Sequence, residues 1–172
     1  MASRKNLPVQ NTRGLDKQLK ALGRNVKGYK KPSIDILETF DAPKMRYPGT
    51  FFVTFTQFGE FTSNCPLTGQ PDFADIKIMY RPKKKCVESK ALKLYLQSFR
   101  NTGAFGEAIT NRIADDLFQV LDPEFLVVIG DFKPRGGIGW APEAIRVSGD
   151  RPYMTDCPQL TATEMIKLEK FR

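Results

Sequence analysis

The chain has 172 residues, 41% of them hydrophobic and 11% aromatic, enough for one domain with a real core and too apolar for disorder. Its formal charge is +8, and it holds no histidine at all. That absence excludes Ser-His-Asp and Cys-His hydrolase chemistry and any histidine-bearing zinc site. Three scattered cysteines are too few for a Cys-only site, so no metal is expected.

The charge is concentrated at the front. Residues 1–48 hold 11 Lys/Arg against 4 Asp/Glu, a balance of +7, leaving 16 against 15, or +1, for the rest. A basic leading segment, drawn here as 1–46 ahead of a single domain at 47–172, suits nucleic acid or an acidic neighbour. A solvated terminus is the plainer reading. No apolar run is long enough to span a membrane, and the first residues, MASRKNLPVQNTRG, lack a signal-peptide core. The odd, widely spaced set Cys65, Cys86 and Cys157 argues against a disulfide framework and fits a reducing cytoplasm.

In chain order, residues 33–40 (SIDILETF) form a short ordered piece. Residues 50–58 (TFFVTFTQF) are β-branched and aromatic and predict a strand. Residues 61–73 (FTSNCPLTGQPDF), with two prolines and a glycine, predict a loop. Residues 74–80 alternate, with Ile76 and Ile78 on one face and Lys77 and Met79 on the other, and predict a second strand; 81–85 form a basic turn. Residues 88–101 place Leu92, Tyr95, Leu96 and Phe99 at helical spacing. A second helix over 104–121 repeats Phe105, Ile109, Ile113, Leu117 and Leu121 every four residues and ends at Asp122-Pro123. Residues 125–132 (FLVVIGDF) predict a strand, with 138–147 as its partner after the turn at 134–137. A turn-rich tail closes on a short helix from Thr163.

The expected class is α+β: an antiparallel four-stranded sheet with both helices on one face. The other face needs cover, which further copies of the chain would supply.

Cys65 lies in the loop between the first two strands, where functional groups are commonly presented. A thiol attacks only as thiolate, and with no histidine Asp72 in the same loop is the nearest candidate proton carrier. Cys86 and Cys157 read as small buried hydrophobes. Glu88-Ser89-Lys90-Ala91-Leu92-Lys93 opens a helix with a carboxylate in its first turn. Lys90 and Lys93, three apart, share a face and can both reach a phosphate. Each also reads as part of an ordinary solvated helix face. Arg135, followed by two glycines, suits a close approach by phosphate, or simply a strand connection. No GxGxxG occurs, so a Rossmann cofactor site is not available.

Together, the FTSNCPLTGQPDF loop, ESKALKLYLQSFRN from Glu88 onward and FKPRGGI around Arg135 resemble the QueF nitrile reductases, the 7-cyano-7-deazaguanine reductases of queuosine biosynthesis. The resemblance covers about 100 residues, from roughly Tyr47 to Gly149. It implies the tunnelling fold shared with GTP cyclohydrolase, whose subunits assemble through their sheets into barrel-like homo-oligomers. It also implies NADPH as cofactor and a small deazapurine nitrile as substrate. Cys65 would add to the nitrile carbon as a thioimide, and Asp72 would shuttle protons. Lys90, Lys93, Arg135 and Gly136 would hold the cofactor's phosphates. Glu107 would bind the deazaguanine edge, with Val87, Glu88 and Ser89 lining the pocket and Phe105 stacking on the base. Where the family normally carries a histidine, this chain has Gly106. Two related readings stay open: an amidine-forming relative acting on a nitrile already in tRNA, and a non-catalytic protein that holds a deazapurine or tRNA. GTP cyclohydrolase chemistry itself is excluded, because its zinc site uses histidine.

Overall fold

A computed structural model describes Leu19 and residues 31–149, together with 153–154, 157–158 and 169–171. The basic stretch ahead of residue 31 and most of the tail after 149, including the start of the expected helix, lie outside the described residues. Helical residues 169–171 fall within that expected tail.

The sheet is antiparallel throughout. Strands β2 (Val53–Asn64), β3 (Pro71–Arg81) and β5 (Phe125–Arg135) lie side by side. Two short strands, β6 (Ile138–Trp140) and β7 (Glu143–Val147), share the far edge of β5. The single partner strand expected over 138–147 is thus split in two at Ala141-Pro142, where a proline cannot donate to the ladder. Gly136 and Gly137, at φ 56° and 82°, make the two-residue turn between β5 and β6 that only glycine adopts freely.

The first hairpin corrects the sequence reading more substantially. Residues 61–64 and 71–73, expected as loop, are strand, and only residues 65–70 turn. Burial drives the extension: Phe61 and Ser63 are fully buried and pair across the ladder with Ala74 and Asp72. Pro71 stands at the first position of its strand, where its missing N–H costs least. The register shift between Gln57 and Phe61 absorbs Gly59 as an irregularity in one long strand.

The expected ordered piece near residue 33 is a 3₁₀ turn (Ile34–Ile36) followed by β1 (Thr39–Asp41). β1 pairs antiparallel with β4 (Lys85–Val87), so the basic turn narrows to 82–84. Ile36 and Leu37 join the main core. Residues drawn into the leading segment on charge alone therefore pack with the body.

Both helices pack on one face of the sheet, as the periodicity requires. α1 (Ser89–Gln97), continued by a 3₁₀ turn (Ser98–Asn101), contributes Leu92, Tyr95, Leu96 and Phe99. α2 (Gly106–Leu121) contributes Ile109, Ile113 and Leu117. They meet Ile76, Ile78 and Tyr80 of β3 with Leu126 and Val128 of β5. The Tyr95 hydroxyl donates to Asp116 at 2.7 Å, tying the helices together. Ile113 is fully buried in this layer, and Ile113→Ala should cost about 2–5 kcal/mol. Urea unfolding should show that as a lower midpoint with an unchanged slope.

On the opposite face Met79, Phe125, Val127 and Ile129 form a smaller buried cluster, with Phe171 packed on it. Part of that face is therefore covered by the chain itself, not only by other copies. Among the described residues, no helix is long and apolar enough to cross a membrane.

Candidate active site

The β2–β3 turn is closed by main-chain bonds, with Cys65 N–H donating to Gln70 O at 2.8 Å and Gly69 N–H to Cys65 O at 3.0 Å. Asn64 pairs with Pro71 and Ser63 with Asp72, so Cys65 and Asp72 come to the same end of one hairpin. A second segment is stapled alongside. Asn64 N–H donates to Thr102 O at 3.0 Å, and Ala104 N–H to Asn64 O at 3.1 Å. That staple delivers Phe105, Gly106 and Glu107, at the start of α2, to the cysteine. The β5–β6 hairpin supplies Arg135 and Trp140 from the third side.

These groups enclose a cavity of about 210 Å³ lined by Cys65, Pro66, Asp72, Phe105, Gly106, Glu107, Arg135 and Trp140. Its size suits one small bicyclic molecule and not a dinucleotide. Six residues singled out from sequence therefore meet in one place.

The cysteine is half-buried and electrostatically prepared. The Thr68 hydroxyl holds its thiol below the usual range, assisted by the Thr68 and Leu67 N–H groups and by the Arg135 charge. Each favours the thiolate, the reactive form. Thr68→Val removes the largest of these contributions. The midpoint of a pH profile of Cys65 alkylation should then move to higher pH, with the plateau rate at high pH little changed.

Asp72 is buried, and Arg135 Nη2 donates to its Oδ1. Two polar atoms nearby, Ser63 Oγ and Arg135 Nε, are buried with no hydrogen-bond partner among the described residues. Orphaned groups of this kind are costly.

The other residues expected at the site lie elsewhere. Val87 is in the main core, and its N–H donates to the Tyr80 hydroxyl at 3.1 Å. Glu88 is the buried N-cap of α1, accepting from Ala91 N–H at 2.7 Å and from the Ser89 hydroxyl at 3.3 Å. Ser89 and Lys93 line a second cavity, about 340 Å³, between β2 and α1, with Phe55, Gln57 and Phe58 among its other walls. Lys93 Nζ is 3.8 Å from Glu60 there. Lys90 is on the first turn of the same helix, and Gly136 is in the exposed hairpin turn. None of these lines the Cys65 cavity.

Trp140 is the wall residue that sequence reading missed. It is the chain's single tryptophan, and its indole stacks on Phe132, with centroids 5.0 Å apart and planes 7° off parallel. The only sequence cue was a lone large aromatic just past the glycine turn.

A family model described as QueF-like protein matches residues 71–149, a span that starts just after the Cys65 turn and holds Asp72, Glu107 and Arg135. A relative named NADPH-dependent 7-cyano-7-deazaguanine reductase, from Anaeromyxobacter sp. (strain K), is 56% identical over 108 residues. The match spans 63% of this chain and 85% of the relative. One of the same name from Bacteroides fragilis is 48% identical over 130 residues, spanning 76% of this chain and 84% of the relative. Among solved structures, an archaeosine synthase QueF-Like in the apo form superposes with a TM-score of 0.51 at 14% identity. It covers 60% of this chain and 99% of that one. At that identity the likeness concerns the α+β fold with its antiparallel sheet.

Proposed function

The chain belongs to the QueF family of 7-cyano-7-deazaguanine reductases, and from that membership we propose that it reduces the nitrile of 7-cyano-7-deazaguanine to the aminomethyl group, with NADPH, in queuosine biosynthesis. The observation that carries this reading to the residues is one base-sized cavity shared by a thiolate-favouring Cys65, the buried Asp72 and Glu107.

A nitrile carbon is electrophilic, and the Cys65 thiolate adds to it, forming a C–S bond as one C–N π bond breaks. The nitrogen takes a proton, giving a thioimide, and Asp72 is the group placed to carry it. Covalent attachment converts a poor hydride acceptor into a better one. Two molecules of NADPH, bound in turn, would each supply one hydride, which with one further proton would give the amine and release the Cys65 thiolate. Glu107, an acceptor-only carboxylate when ionised, matches the N–H donors of the deazaguanine edge, and Phe105 offers an exposed ring for stacking.

The residues fit such a cofactor. Beside Ser89 and Lys93, the larger cavity presents Gln57, whose Oε1 is buried without a hydrogen-bond partner among the described residues. The Lys93 cation suits phosphate, and an unpaired acceptor suits an amide or amino N–H. Lys90, Arg135 and Gly136 complete the set proposed to hold the phosphates.

The architecture is read as a tunnelling fold building barrel-like homo-oligomers. Support comes from the 12-residue edge strand β2, from exposed Phe58, Leu67 and Phe73, and from the separation of the two cavities. Edge-to-edge packing would bring the groove of one copy toward the cavity of the next. A cytoplasmic setting suits a reaction that depends on a reduced thiol.

The deciding experiment mixes the chain with 7-cyano-7-deazaguanine and follows loss of NADPH absorbance. Two NADPH consumed per nitrile supports the reductase. Binding without consumption sinks it and favours a holding role.

A further inference from the structure

Position 106 is packed as a contact and not as an open space. A Cβ built on Gly106 would lie 2.7 and 2.8 Å from two ring atoms of Phe132 and 3.0 Å from Nε1 of Trp140. The indole N–H therefore sits directly over the backbone of Gly106, one residue from Glu107, at the wall of the Cys65 cavity. It has no hydrogen-bond partner among the described residues. An indole N–H is a donor only, and near a ligand it must find an acceptor or go unpaired.

The ligand's chemistry says which acceptor. On the perimeter of a deazaguanine, the C6 carbonyl oxygen lies between the N1–H edge and the C7 substituent. In the proposed binding mode Glu107 takes the N1–H edge and Cys65 attacks the nitrile on C7. A donor beside Glu107 in that cavity faces the oxygen between them. Stacking on Phe132 fixes the plane of the indole ring.

We propose that Trp140 is a substrate-binding residue whose indole N–H donates to the C6 oxygen of the deazaguanine, and that Gly106 lacks a side chain so that Trp140 can occupy this position. The inference rests on the reductase reading above and adds to it a specificity determinant on the β5–β6 hairpin.

The test compares two nitriles, 7-cyano-7-deazaguanine and its analogue lacking the C6 oxygen, on the parent chain and on Trp140→Phe. The phenyl ring keeps an aromatic face against Phe132 and removes the N–H. Without NADPH, mass spectrometry reads the Cys65 adduct as a function of nitrile concentration. The parent should prefer the oxygen-bearing nitrile, and Trp140→Phe should shrink that preference roughly three- to tenfold, the worth of one neutral hydrogen bond. With NADPH, KM should rise by a similar factor and more than kcat falls. An adduct on the parent with an unchanged preference in Trp140→Phe overturns the inference alone. No adduct on the parent overturns the reductase reading and the inference together. If Trp140→Phe does not fold, the emission of the parent's single tryptophan decides. It should change on titration with the oxygen-bearing nitrile and less with the analogue; equal or absent responses overturn the inference.

Discussion

Cys65→Ala should fold as the parent does and lose NADPH oxidation by roughly a thousandfold or more, the scale on which removal of a covalent nucleophile is felt. The two halves of that expectation have separate physical grounds. Cys65 contributes to the fold through its main chain, donating to Gln70 O and accepting from Gly69 N–H, and alanine keeps both bonds. Its half-exposed side chain belongs to neither core cluster, so the change in stability should stay within about 0.5 kcal/mol. In the proposed mechanism the chemistry depends wholly on the sulfur. With no histidine in the chain, nothing else near the cavity combines nucleophilicity with a lowered pKa. The cavity walls remain, so the variant should still bind the nitrile. Thermal unfolding, NADPH oxidation and ligand binding measured on one preparation check all three. Substantial turnover by the variant would remove the thioimide route and make any attack on the nitrile independent of Cys65.

What could be read from the sequence follows from the range of the interactions concerned. The two long helices were legible because their apolar residues repeat locally, at Leu92, Tyr95 and Leu96 and then Ile109, Ile113 and Leu117. The β5 strand was legible from its β-branched run, although it extends three residues further, to Arg135. The β2–β3 hairpin was misjudged because Pro66, Gly69 and Pro71 look alike as punctuation; tertiary burial of Phe61, Ser63 and Asp72 decides which of them actually turns the chain. Strands of three residues, such as β1 and β4, are too short to show a period. At the site, Cys65 and Asp72 were legible because they share one hairpin. The contact of Arg135 with Asp72, 63 residues away, has no local signal and was not legible. Glu88 illustrates the opposite case. A carboxylate before a helix was visible, but its use as a buried cap for Ala91 needs the backbone to be seen.

The contact between Gly106, Phe132 and Trp140 is the least local of all, and it makes the second large prediction. Gly106→His, which would place there the histidine that the family resemblance implies, should destabilise this chain. Its Cβ alone falls within 3.0 Å of both rings. Phe132 has little room to retreat, because its ring already lies close against the side-chain-free Gly130 and packs edge-on against Phe61. Overpacking of this kind costs about 1–3 kcal/mol. Relief of a helical glycine gives back at most about 1 kcal/mol, and less at the first helical position. The net effect should be a Tm lower by roughly 2–8 °C for a chain of this size. Activity should fall as well, since Trp140 must leave its place over the cavity. Replacing the indole in the same chain, as Gly106→His with Trp140→Leu, should recover part of the lost stability, because Phe132 can then shift into the space the indole leaves. Because the two residues touch, their effects should not add. A single Gly106→His variant as stable and active as the parent would show that the stack yields freely, and that the glycine is not there for the tryptophan.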